Sequence, residues 1–121
     1  MASEPRNILG MGLKIASQNI DPAGTMISNE ISKATAANYH LDVFEVDLSL
    51  SHDEVISGLT QHLKSKAYAA ISIGFGVRGN KDLTPLFEKL VNTTIEHQPK
   101  AKFGFALWPT QMVEACERVL H

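Results

Sequence analysis

Thiol chemistry is nearly absent from this chain: Cys116 is the single cysteine in 121 residues. One cysteine cannot close an intrachain disulfide, so a disulfide framework is excluded. Charge of one sign is lacking too. Eleven basic and 13 acidic residues leave a formal charge of −2, too little for a long-range pull on nucleic acid or anionic membranes. No run approaches the roughly 20 apolar residues of a membrane span. The opening segment, with Lys14 inside its short apolar run, shows no secretory cleavage pattern, so a cytoplasmic location is expected. The five histidines are dispersed without metal-ligand spacing, which argues against a zinc or iron site. No Ser-His-Asp or Cys-His arrangement is visible, and covalent hydrolysis is disfavoured. Repeats, linkers and low-complexity tracts are missing, and one domain over residues 1–121 is expected.

What is present is alternation. Short apolar runs at Ile8–Leu13, Leu41–Leu48, Ala69–Phe75 and Lys102–Trp108 read as strands. The second mixes apolar and acidic residues, as an edge strand with one wetter face would. The third is nearly continuous and suits a central strand. Helix signals lie between them. Asp21-Pro22 reads as an N-cap followed by proline, with Ala23, Ile27, Ile31 and Ala34 on one face. Ser51-His52-Asp53-Glu54 is a capping box, followed by the stripe Val55, Leu59 and Leu63. Thr84-Pro85 opens a third helix, with Leu83, Phe87, Leu90, Val91 and Thr94 along one side and His97-Gln98-Pro99 at its close. Thr110 caps a last helix with Val113, Cys116 and Leu120 inward.

Strict β-α alternation predicts an α/β fold with a parallel sheet and right-handed crossovers. The expected architecture is a three-layer α/β/α sandwich around four strands in the flavodoxin-like order 2-1-3-4. Ligands bind such folds at the strand C-terminal edge, where the order reverses. Here that crevice lies between the loops after strands one and three, Lys14 to Asp21 and Gly74 to Thr84. This sorts the histidines. His40, His62, His97 and His121 fall toward the opposite edge, and only His52 starts a helix on the functional one.

The run Gly74-Phe75-Gly76-Val77-Arg78-Gly79-Asn80 matches G-x-G-x-x-G. It follows strand three, whereas the dinucleotide fingerprint follows strand one and has its acidic partner at the end of the next strand; here the nearest acid at a comparable distance, Glu96, lies mid-to-late in a helix. Nucleotide or flavin binding is therefore a minor alternative, and no cofactor is expected. A glycine loop needing positive φ is the plain alternative to a ligand cradle. Arg78, in a glycine-rich turn near a helix N-terminus, is placed to grip an anionic or carbonyl oxygen. Lys14 is the second cation on this edge. Asp47 or His52 would be the base and Arg78 the stabiliser of developing negative charge. Gly74, Gly76, Gly79 and Asn80 would cradle the ligand, with Phe75 and Trp108 as apolar walls. Cys116, on an apolar stripe, reads as a buried thiol. Sandwiches that carry a cysteine after strand one, and receivers with an aspartate ending strand three, are disfavoured.

The segment Ile73-Gly74-Phe75-Gly76-Val77-Arg78-Gly79, with Leu86-Phe87-Glu88-Lys89-Leu90-Val91-Asn92 after it, resembles a family of small microbial flavodoxin-like α/β proteins of uncharacterised activity. The likeness covers mainly residues 69–97. It implies the fold and marks Arg78, Glu88 and Asn92 as its polar positions, with Glu88 steadying Arg78 and Asn92 serving helix packing or a subunit contact. The expected function is binding of an anionic or carbonyl-bearing small molecule, with cofactor-independent proton transfer of the isomerase, cyclase or lyase type if there is catalysis. The rival is a non-catalytic module that forms a homo-oligomer or binds a partner through the helix face near Asn92 or the edge of strand four.

Overall fold

The computed structural model describes residues 4–14 and 25–121. Four strands, β1 (Arg6–Leu13), β2 (Tyr39–Val46), β3 (Ala70–Gly74) and β4 (Lys102–Ala106), form one sheet in the order β2-β1-β3-β4. Every pairing is parallel. This is the expected topology, and its physical basis is visible in β3. Ala70 to Ile73 are buried on both faces, which requires a central strand covered by helices on each side. The helices are α1 (Thr25–Ala36), α2 (His52–Ser65), a one-turn α3 (Phe75–Arg78), α4 (Thr84–His97) and α5 (Met112–Leu120). None of the described helices is long and apolar enough to cross a membrane.

Alternation along the strands separates two cores. Leu9 and Met11 of β1, in register with Ile71 and Ile73 of β3, face Leu59 and Leu63 of α2 and Leu86 and Leu90 of α4. Ile8, Leu41 and Ala70 face Ala34 of α1 and Val113 and Cys116 of α5. This second face is lined by small residues. Gly10, Ser72 and Gly104 form one register row across three strands, and α5 lies directly on it. A Cβ at Gly104 would overlap the Ala115 carbonyl oxygen, and one at Gly10 would come within 2.7 Å of Met112 Sδ. Closer to the strand C-termini come Gly12, Gly74 and Ala106. Helix α5 begins at Met112, too late to cover them.

Several local expectations need correction. The Asp21-Pro22 cap and Ala23 lie outside the described residues. Ile31 is 43% exposed, while Glu30 and Ala34 are buried, because the Glu30 carboxylate accepts from the Val113 N–H (3.3 Å) and lies 2.7 Å from Lys33 Nζ. Thr110 does not cap α5. Residues Pro109–Gln111 form a 3-10 turn, and the Thr110 carbonyl accepts from Lys33 Nζ (2.9 Å). In α4 the fully buried first-turn residue is Leu86, with Leu83 only half-buried. The β2 strand ends at Val46, before Asp47 turns the chain by accepting from Ser49 N–H and Oγ. The β4 strand stops at Ala106, ahead of the Trp108-Pro109 turn. The Ser51–Glu54 capping box forms as expected, with both reciprocal hydrogen bonds.

One charged constellation sits on the edge opposite the strand C-termini. Asp42 accepts from the Tyr68 hydroxyl (2.7 Å), and Lys66 and His40 lie 3.1 Å and 3.2 Å from its oxygens. Burial pulls the Asp42 pKa upward, but the Tyr68 hydrogen bond and the Lys66 charge outweigh it and leave it below the ordinary aspartate value. A carboxylate depressed in the folded state stabilises above its unfolded pKa, about 4, and loses that contribution as pH falls through the folded value. Asp42→Asn should therefore cost about 1 kcal/mol near neutral pH. The gap from wild type should narrow in urea melts as the pH falls below about 4.

Candidate functional site

Among the described residues nothing covers this row, and a cavity of about 220 Å³ opens at the C-terminal ends of β1, β3 and β4. Gly12, Gly74 and Ala106 line it on the sheet, with Val43 and Glu45 of β2 and Ser72 of β3 on the same face. Met112 lines it from α5, and Phe75, Leu107 and Trp108 contribute from the adjoining segments. A Cβ built on Gly12 would meet no atom of the described residues within 4 Å, so among them this glycine serves no close contact. Met11 to Leu13 and Gly74 to Gly76 both line the cavity, which places it at the crevice where the strand order reverses.

Polarity in the wall is sparse. Ser72 is 1% exposed, and among the described residues its hydroxyl has no hydrogen-bond partner. Buried hydroxyls are normally satisfied, and an unmet one costs about 1–3 kcal/mol. Glu45 supplies a carboxylate from β2 and is itself engaged within the chain. Behind this wall, burial pushes the Cys116 thiol up to about 12, opposed by a contact with the Ser72 hydroxyl that falls short of hydrogen-bond geometry. Such a thiol is protonated and inert at neutral pH.

Of the residues expected from the sequence, Gly74, Phe75, Gly76 and Trp108 line this cavity. Arg78, Gly79, Asn80, Lys14, Asp47 and His52 are not among its lining residues. The Arg78 guanidinium stands 5.1 Å from the Phe75 ring centroid and 5.3 Å from that of Phe105. This is a cation–π sandwich, and Arg78 Nε is buried without a partner among the described residues. Lys14 Nζ lies 3.6 Å from Asp47. Hydrogen bonds from the Ser49 hydroxyl and N–H, with the Lys14 charge, hold the Asp47 carboxyl below the usual range. An acid so engaged makes a weak proton acceptor. His52 is exposed at the first turn of α2.

The expected glycine cradle is instead helical. Phe75–Arg78 forms the α3 turn, and Asn80 caps the 3-10 turn Lys81–Leu83 by accepting from the Asp82 N–H (2.9 Å). No glycine of the run has positive φ. Gly79 is glycine because a Cβ there would lie 2.6 Å from the Phe75 ring, and at Gly76 it would press on Leu13 Cδ1 at 3.1 Å. Glu88 and Asn92 line a separate groove with Asp53 and Ile56, between α2 and α4. No Glu88–Arg78 ion pair occurs among the described residues.

The sequence reading missed Gly12, Glu45, Ser72 and Met112. A signal existed for Ser72, the one hydroxyl inside the apolar run Ala70–Ile73. The alternation of β2 placed Glu45 on the same face as Val43. No family model matches the chain, and no curated protein matches it.

Proposed function

We propose that this protein binds a small, largely apolar molecule in the cavity at the ends of β1 and β3, with one polar group of that molecule meeting Ser72. The buried, unpartnered Ser72 hydroxyl in the cavity wall carries this reading. A bound carbonyl or hydroxyl would satisfy it, and the apolar lining would take the remainder. An engineered apolar cavity of about 150 Å³ holds benzene. A space of 220 Å³ therefore suits one ring with a short substituent. Among the described residues Glu45 is the carboxylate in this wall, so proton transfer on a bound molecule would run through Glu45, in place of Asp47 or His52.

Phenethyl alcohol is a suitable probe. Ligand-observed NMR should show binding at roughly millimolar Kd. Gly12→Leu, which fills the space, should abolish binding without lowering Tm, as checked by circular dichroism. Ser72→Ala should weaken binding about fivefold. Equal binding by wild type and Gly12→Leu overturns the reading.

The exposed rim of Phe75, Phe105, Leu107 and Trp108, at the end of edge strand β4, supports a rival subunit or partner surface. That rival replaces the cavity reading if no probe binds and the native mass is that of two chains, falling to one in Trp108→Asp.

A further inference from the structure

The chemistry of the wall goes beyond the presence of a cavity, and the step that follows rests on the cavity reading above. Among side chains lining the space, Glu45 offers only acceptors when ionised, and Ser72 offers one donor and two acceptor positions. The nearest cations expected from the sequence are committed elsewhere. Arg78 is stacked between Phe75 and Phe105, and Lys14 faces Asp47. Neither lines the cavity. An anion entering this space would meet the Glu45 carboxylate, and no cation lines the space among the described residues.

A cation meets the opposite situation. Glu45 can pair with it through its carboxylate, which has about four acceptor positions. Trp108, 67% exposed, lines the same space, and an indole face attracts ammonium groups. Gly12, Gly74 and Ala106 leave room for a flat apolar body against the sheet. We infer that the cavity selects a ring-sized apolar molecule carrying a protonated amine, with the ammonium on Glu45 and the ring over Gly12 and Gly74.

Three probes of similar size separate the possibilities: phenethylamine, phenethyl alcohol and hydrocinnamate, titrated by calorimetry or NMR against the full chain. Phenethylamine should bind at least about tenfold more tightly than hydrocinnamate, the scale of one charge-assisted hydrogen bond. Glu45→Gln keeps the side-chain size and should bring the two within about threefold, while phenethyl alcohol changes little. Trp108→Ala, at an exposed position that does not threaten folding, should weaken phenethylamine more than phenethyl alcohol.

If hydrocinnamate binds as well as the amine, or if the amine preference survives Glu45→Gln, the amine inference is overturned. The cavity reading still stands in that case, provided Gly12→Leu abolishes phenethyl alcohol binding. If Gly12→Leu leaves all three probes bound as before, the cavity reading falls and the amine inference falls with it.

Discussion

Gly104→Ala should be the most damaging single methyl addition in this fold, lowering unfolding free energy by about 3 kcal/mol and Tm by roughly 10 °C. Intrinsic preference argues the other way, because alanine in place of strand glycine ordinarily gains about 0.5–1 kcal/mol. Packing decides the sign. The added Cβ would overlap the Ala115 carbonyl oxygen and stand 2.7 Å from its carbonyl carbon. Those are backbone atoms in the middle of α5, and no side-chain rotation can clear them. The helix must lift, loosening Val113, Ala115 and Cys116, all of which are fully buried. Gly12→Ala is the control. It adds the same methyl to the same sheet face with no described atom within 4 Å, and should be neutral or slightly stabilising. Urea melts of both variants test the pair. A Gly104→Ala protein within about 0.5 kcal/mol of wild type would show that α5 does not rest on the β4 backbone.

The same comparison explains which parts of the molecule were legible in the sequence. The sheet order followed from β-α alternation and from the apolar run of β3, because burial on both faces leaves a local mark. The capping box at Ser51 and Glu54 was equally local. Glycines carry no such mark. The run at Gly74–Gly79 matched a phosphate-binding pattern by spacing, yet Gly79 accommodates the Phe75 ring and Gly76 the side chain of Leu13. The cavity depends on where α5 begins relative to a row of small residues on β1, β3 and β4. That relation links the two ends of the chain, and no window of neighbouring residues contains it. Arg78 was legible as unusual but not as stacked, since Phe105 lies on a different strand. Glu30 was hidden for another reason. A glutamate in a helix reads as solvent-facing, and the i, i+4 count from Ile27 placed Ile31 inward.

That hidden glutamate makes the second large prediction. Glu30→Ala should cost about 2–4 kcal/mol, whereas Glu114→Ala, which removes a half-exposed partner of the same lysine, should cost under about 1 kcal/mol. Glu30 is 1% exposed and does two things at once. Its Oε1 accepts from the Val113 N–H at the start of α5, a helix end without a side-chain cap from its own N-cap residue, Gln111. Its Oε2 lies 2.7 Å from Lys33 Nζ. The ion pair contributes the smaller share, because the Lys33 side chain is 40% exposed and solvent screens it. The larger share is the buried Val113 N–H left without an acceptor, together with the volume vacated between α1 and α5. Glu30→Gln separates the two. It keeps a carbonyl oxygen for Val113 and nearly the same volume while removing the charge, and should recover more than half of the loss seen in Glu30→Ala. If Glu30→Gln is as unstable as Glu30→Ala, the charge and not the cap holds α1 to α5. If Glu30→Ala is nearly neutral, Val113 finds another partner and α5 does not depend on this carboxylate. The consequence reaches the cavity, because Met112, adjacent to Val113, forms its helix-side wall. Any probe that binds there should therefore bind less tightly to Glu30→Ala than to Glu30→Gln.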